Sequence, residues 1–264
     1  SWSLDSIGPL TRSVADAALV YHYLRGADPQ DPSTQGMPPQ DVLTGLQDGV
    51  HGLRLVFAET VFWDQADPEV ARAVRACGEV FARLGAAVDS MAFPEAAAAQ
   101  ELNPRGLVIA AEAYTIHQAR LEAHFEQYDP IISQRMIQGK QVTATEYLNT
   151  TRAWTQLRAR VVQTLRNVDA LLVPTTIIPA LPVGEIDASM ETYNTRNLHY
   201  LRNTAICNVL NLCGLSLPCG FTSQGLPIGL MIYGKPCNED VILRVGYAFE
   251  QATEWHSQRP ALPW

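Results

Sequence analysis

HGLRLVFAETVFWDQADPEVARAVRACGEVFARLGAAVDSM, residues His51 to Met91, carries strand, helix and strand signals in succession. Leu53 to Phe57 is a short run of apolar and β-favouring residues around one Arg, which reads as a strand. Asp67-Pro68 is a helix start: Asp can accept from the free N–H groups of the first turn, and Pro at the first helical position lacks an N–H that would be unpaired there anyway. Val70, Val74, Cys77, Phe81 and Leu84 then recur at helical spacing, and Gly85 ends the run. Ala87-Val88 opens a second strand. A strand, a helix and a strand at this spacing predict an α/β protein.

Upstream, Ser13 to Leu24 places Val14, Ala17, Ala18, Val20, Tyr21 and Leu24 on a helical stripe that stops at Arg25-Gly26, and Asp28 to Gln40 reads as loop from its Pro, Asp and Ser content. Downstream, Pro94 to Arg166 reads as almost entirely helical. Within it Thr143-Ala144-Thr145-Glu146 has the form of a capping box, opening a helix that turns Tyr147, Thr151, Trp154, Leu157, Val161 and Leu165 inward. Ala170 to Val173 is unbroken apolar sequence, as in a strand buried on both faces. TTIIPALPVGE is turn-rich and extended. A helix is expected from about Leu198 to Leu210, and LSLPCGF and LPIGLMIYG read as a hairpin across Thr222-Ser223-Gln224-Gly225. Asn238 is placed as the cap of a last helix with Ile242, Val245, Phe249 and Ala252 inward.

The 264 residues are 47% hydrophobic and 17% charged, the balance of a chain with a sizeable core, read as one domain over 1–264. A net charge of -8 with 19 scattered basic residues argues against a nucleic-acid surface. Five Cys without CxxC spacing, three in the apolar settings AICNVL, NLCGL and LPCGF, read as buried thiols of a cytoplasmic protein rather than metal ligands. No apolar run reaches the roughly 20 residues of a membrane span, and no secretory h-region is read within these residues, a signal ahead of Ser1 being left open.

Self-sufficient chemistry is not evident. There is no G-x-S-x-G elbow, no HExxH, no phosphate loop and no dinucleotide fingerprint. The six His are isolated; His117 and His124 stand two helical turns apart. Acid pairs such as Glu239-Asp240 sit at a helix start, where the dipole favours carboxylates. No catalytic residue, cofactor or metal is assigned.

LDSIGPLTRSVADAALVYHYLRGADPQD (Leu4 to Asp31) resembles a hallmark segment of the amidase signature family, which includes bacterial amidases and the A subunit of glutamyl-tRNA amidotransferase. VDALLVPTT (Val168 to Thr176), NVLNLCGLSLPCGF (Asn208 to Phe221) and GLPIGLMIYGKPCNEDVILRVGYAFE (Gly225 to Glu250) match in the same order, and the closing TEWHSQRPAL is similar to the end of such enzymes. The stretch from Pro94 to Gln141 is least similar. The resemblance implies an α/β/α layered fold on a mixed sheet and amide hydrolysis by a Ser, cis-Ser, Lys triad, with backbone N–H groups holding the oxyanion. It puts the triad upstream of Ser1, so that this chain is expected to be the C-terminal portion of an amidase, inactive alone, with the N-terminal part of the same protein as its partner. Ser1, Ser3 and Ser6 lack Gly-rich surroundings and do not stand in for the nucleophile; Lys140 and Lys235 are the only lysines.

What remains would form the pocket wall for a small amide substrate. The resemblance gives Arg158, with Arg152 as competitor, the place of an Arg that pairs with a substrate carboxylate, for which a planar guanidinium is suited; the alternative is a surface Arg. The position that holds an ammonium-binding Asp in the amidotransferase branch is Leu201 here, which argues against glutamine recognition. Arg202, in a pattern with Asn203, Thr204 and Asn208 like that of stand-alone amidases, faces an acidic substrate or caps backbone carbonyls. Thr175 and Thr176 follow a buried strand, where α/β ligands gather. Asp5 and Arg12 are read as holding the loop to the first helix. Three readings stand: a hydrolytic amidase portion, the A subunit of an amidotransferase, and a non-catalytic binding module. A missing sheet partner would leave strand edges and an apolar face open, so a homodimer through that face is a further expectation.

Overall fold

The computed structural model describes residues 1–37, 40–103, 106–186 and 189–259. Parts of the expected Asp28–Gln40 loop and of the closing TEWHSQRPAL segment, at 38–39 and 260–262, lie outside the described residues. The strands are β1 (Arg54–Ala58), β2 (Ala87–Met91), β3 (Ala170–Pro174), β4 (Cys213–Phe221) and β5 (Pro227–Gly234). They form one mixed sheet in the order β2-β1-β3-β5-β4. β1 runs parallel to β2 and β3, with Leu55 opposite Val88 and Ala170, whereas β5 pairs antiparallel with β3 and β4.

The helices are α1 (Val14–Leu24), α2 (Pro68–Arg83), α3 (Pro94–Glu101), α4 (Leu107–His124), α5 (Pro130–Gln138), α6 (Ala144–Thr164), α7 (Val183–Ile186), α8 (Met190–Leu210) and α9 (Glu239–Gln251). They divide between the two faces of the sheet. Val14, Val74, Phe81, Val245 and Phe249 from α1, α2 and α9 pack on Leu55, Leu172 and Ile232. Ala96, Trp154, Leu157, Val161, Ile206 and Leu210 from α3, α6 and α8 pack on Val56, Leu171, Val173 and Met231. The α/β/α layering is therefore observed. β3 explains its own composition: Ala170 and Leu172 enter one core and Leu171 and Val173 the other, so no position on it can be polar.

The start signals of α2 and α6 and the stop after α2 hold in detail. The Asp67 side chain accepts from the Glu69 N–H with Pro68 at the first position, and Thr143 and Glu146 close a reciprocal capping box on α6. Gly85 has φ +90°, a conformation that L side chains avoid, and turns the chain from α2 into β2.

Four expectations are corrected. α8 begins at Met190, not near Leu198: Ser189 caps it by accepting from the Thr192 N–H. Its first two turns are polar and lie at the surface, held by Arg135, which donates to Asn194 Oδ1 (2.8 Å) and lies over the Tyr193 ring, so apolar periodicity could not reveal them. Val20 and Leu24 are exposed, because α1 buries only Val14, Ala17 and Ala18. Ala252 is exposed just beyond the end of α9, and Asn238 stands at the cap position without a side-chain hydrogen bond. TTIIPALPVGE ends in the single helical turn α7 rather than remaining extended.

Cys77, Cys207 and Cys219 are buried, Cys213 and Cys237 half-buried, and all five are free thiols. Burial raises the Cys207 and Cys213 thiols above their ordinary range, so they remain protonated and unreactive at neutral pH. Among the described residues, no helix is long and apolar enough to cross a membrane.

Candidate functional site

β4 is an edge strand, bonded on one side only, to β5. Along its other side runs an open cleft of about 1220 Å³. Ser6 to Val14 form one wall. Thr204 and Asn208 of α8 and Gly214, Ser216 and Pro218 of β4 line the side nearest the second core. Tyr21, Cys213, Glu239 and Trp255 line the other. The small side chains are a consequence of strand alternation. Leu215, Leu217 and Cys219 lie on the α2 and α9 side of the sheet and Gly214, Ser216 and Pro218 on the other, and Leu215 and Leu217 also border the cleft, which wraps the strand's free edge.

Thr175 reaches this floor from β3. Its N–H donates to the Gly229 carbonyl (2.9 Å), and its hydroxyl is 2.7 Å from the Ser216 hydroxyl. The contact crosses β5 only because position 229 is Gly: a Cβ there would stand 2.7 Å from Thr175 Oγ1. Asn208 is exposed on the cleft wall, one helical turn after Thr204. These two expected site residues thus meet the same cavity, one directly and one through Ser216.

The other three are engaged elsewhere. Arg158 on α6 donates from Nε to the Val209 carbonyl (2.8 Å) and from Nη2 to the Asn208 carbonyl (3.5 Å), at the C-terminal end of α8. A cation there serves carbonyls that the helix leaves unpaired and complements the dipole. Arg202 donates to the carbonyls of Asp64 (2.6 Å) and Phe62 (3.2 Å), and from Nε to its neighbour Asn203 (3.3 Å). Burial lowers both guanidinium groups from their ordinary value, for Arg202 partly offset by Asp64. Thr176 donates to the Ile178 carbonyl of its own loop (3.0 Å). Arg152 is exposed, as is Leu201.

Of the hydroxyls that could mimic a nucleophile, Ser6 lines the cleft and the other two are engaged by a carboxylate. Ser1 and Ser3 donate to the carboxylate of Glu112. Lys140 lies in the 3-10 turn Gly139–Gln141, and Lys235 directly follows β5. The Glu112 cluster escaped the sequence reading. Glu112 is 1% exposed on α4 and also accepts from Tyr147 Oη (2.7 Å) and the Ser3 N–H (3.2 Å). Burial alone would raise this carboxyl, but the donors of Ser1, Ser3 and Tyr147 outweigh it and hold it below its usual range. The one signal available was a lone acid in the apolar run LVIAAEAY.

The family described as Amidase matches residues 1–243. An amidase of Pseudomonas putida is 36% identical over 264 residues, covering 99% of this chain and 56% of that protein. The A subunit of the glutamyl-tRNA(Gln) amidotransferase of Trichlorobacter lovleyi is 30% identical, covering 98% of this chain and 57% of that one. Among solved structures, a 6-aminohexanoate cyclic dimer hydrolase superposes with a TM-score of 0.82 at 24% identity, over 95% of this chain and 55% of that one, a likeness of fold. The chain thus spans little more than half the length of the relatives it matches. With the layered mixed sheet, the segments at Leu4, Val168, Asn208 and Gly225, and a match running from the first residue to position 243, this chain belongs to the Amidase family.

Proposed function

We propose that this chain is the C-terminal part of a hydrolytic amidase that converts a carboxamide to a carboxylate and ammonia. The triad, two serines and a lysine, comes from polypeptide upstream of Ser1. In this reading the lysine draws the proton of the nucleophilic serine through the bridging serine, the serine adds to the amide carbonyl, and ammonia leaves with the returned proton. Water then cleaves the acyl-enzyme to the carboxylate. This chain supplies the cavity. Thr175, Ser216, Thr204 and Asn208 offer hydroxyl and amide groups to the substrate. Arg158, Arg202 and Thr176, whose donors are spent on main-chain carbonyls, hold α8 and the β3 exit in place around it. No cofactor or metal enters this scheme.

The observation that carries the proposal is the cleft along the unpaired side of β4 in a chain of this family, with Ser216, Thr204 and Asn208 among its otherwise largely apolar lining, while the lysines stand in turns. The test compares two proteins. The product of the longer reading frame is expected to release ammonia from simple carboxamides and to lose that activity when the upstream serine is changed to Ala. The 264-residue chain alone, cleared of host amidases, is expected to release none. Turnover by the short chain, or undiminished turnover by the Ala variant, refutes the proposal.

The amidotransferase relatives support a second reading, in which the protein works with companion chains. Leu201, at the place of the ammonium-binding carboxylate, weighs against it. Glutaminase activity in the longer protein would reverse that order.

A further inference from the structure

The cleft wall is held at its ends and bare between them. Ahead of it, the Glu112 carboxylate collects the hydroxyls of Ser1, Ser3 and Tyr147 and the Ser3 N–H, and Leu4 packs against the second core. Behind it, Glu250 of α9, 5% exposed, accepts from the Val14 N–H (2.9 Å), a first-turn donor that α1 cannot pair itself. The hydrogen bonds in between stay within the segment: Asp5 N–H to the Ser1 carbonyl (3.1 Å) and Thr11 Oγ1 to the Ser13 carbonyl (2.7 Å). Ile7 and Leu10, both lining the cleft, are 94% and 103% exposed, so side-chain packing does not fix the span either.

We propose that Ser6–Ser13 is a strap bordering the amide site, and that Glu112 and Glu250 are positioning residues that set its two ends. A buried carboxylate suits each end for a physical reason. It offers acceptors in several directions, it has no donor of its own to leave unpaired, and charge-assisted bonds hold geometry more tightly than neutral ones. Glu112 does this across α4 and α6 together, through Tyr147, so the strap inherits its position from the helical layer rather than from the sheet. The assignment of the strap to an amide site rests on the function proposed above; the two anchors do not.

Hydrogen exchange on the 264-residue chain tests the anchors. Glu112→Ala is expected to speed exchange at the Ser3 and Asp5 amides, which have acceptors at this anchor, by about tenfold or more while β3 is unchanged, since only a local opening is made easier. Glu112→Gln is expected to fall between, because the Ser and Tyr hydroxyls can turn to accept from the new amide. Glu250→Ala is expected to act on residues 13–17. Unchanged exchange at Ser3 and Asp5 in Glu112→Ala and at Val14 in Glu250→Ala, or an equal rise throughout including β3, overturns the proposal. Should Glu112→Ala fail to fold, Tyr147→Phe, which removes one donor and leaves the carboxylate, is expected to speed exchange at residues 1–5 more weakly, and no change there overturns it.

In the longer protein Glu112→Gln is expected to raise KM several-fold with kcat within about twofold, as for lost positioning rather than lost chemistry. A fall in kcat at constant KM overturns the link between strap and substrate. Absence of amidase activity in the unmodified longer protein would instead defeat the functional proposal and leave the exchange result to judge the anchors.

Discussion

Asn203 is 1% exposed and donates to two carbonyls at once, Phe62 (3.1 Å) and Pro174 (2.7 Å), tying the exit of β3 to the loop after β1. Asn203→Ala would take this donor from the Pro174 carbonyl and leave Phe62 with Arg202 alone, and is expected to lower stability by about 1–3 kcal/mol in urea unfolding. Asn203→Asp, which sets a charge against the same oxygens, is expected to cost more. Glu59 and Arg75 form a two-pronged pair (2.7 and 2.5 Å), with the guanidinium 3.6 Å over the Trp63 ring. The Arg75 hydrogen bonds hold the Glu59 carboxyl below its usual range against an opposing effect of burial. With the folded value below the unfolded one, the stabilisation is complete above the unfolded carboxylate range, near about 4.3, and is lost as pH falls through the folded value. The stability gap between wild type and Glu59→Gln is therefore expected to be widest at neutral pH and to close on acidification. A gap constant with pH would contradict it. Single residues were legible in the sequence where their partners are local, as with Asp67 and Thr143. Glu112 was not, because its Ser1 and Ser3 partners lie 111 and 109 positions away. Arg158 and Arg202 could be picked out as noteworthy, but not the distant carbonyls they serve, 50 to 140 residues off.

At the level of elements, α6 depends on its first turn. Thr143→Ala removes the hydroxyl that accepts from the Glu146 N–H and donates to the Glu146 carboxylate, leaving only the bond from the residue 143 N–H to that carboxylate, for an expected loss of about 1 kcal/mol by thermal or urea unfolding. An undiminished midpoint would mean that α6 is held by Trp154, Leu157 and Val161 alone. α4 and the turn after α5 meet more tightly. A Cβ on Gly139 would stand 2.0 Å from the Ala110 carbonyl oxygen, so Gly139→Ala is expected to destabilise that pair even though the backbone angle suits any residue. Elements with an apolar stripe, a cap and a stop were readable: α2, α6, β3 and the β4–β5 hairpin. The first turns of α8 were not, since METYNTRN packs through polar side chains on Arg135, and polar packing has no periodicity to detect. The same limit hid the site. A cleft is the space between elements, and Ser216 and Gly229 acquire meaning only once three strands are side by side.

For the whole molecule, β4 is one of the two sheet edges, β2 being the other, and the one that borders the cleft. A strand bonded on one side, bordering an open cleft with Ile7 and Leu10 uncovered, invites pairing with another chain. The isolated chain is expected to self-associate with rising concentration in sedimentation equilibrium. A charge placed on that flank, as in Ser216→Lys, is expected to reduce association; monodisperse monomer in the wild type would contradict both. The sheet also dictates an order of events in time. β4 and β5 are neighbours in the chain and can zip as a hairpin in about 1–10 μs. β1 must wait for β3, and the bond from the Arg54 N–H to the Asp169 carboxylate, which marks their meeting, spans 115 positions. On a ribosome the first strand therefore emerges long before the one that flanks it. Until then Leu55, Val56 and Phe57 have α2 and β2 for company and no second neighbour, which makes that interval the one in which a chaperone has most to shield.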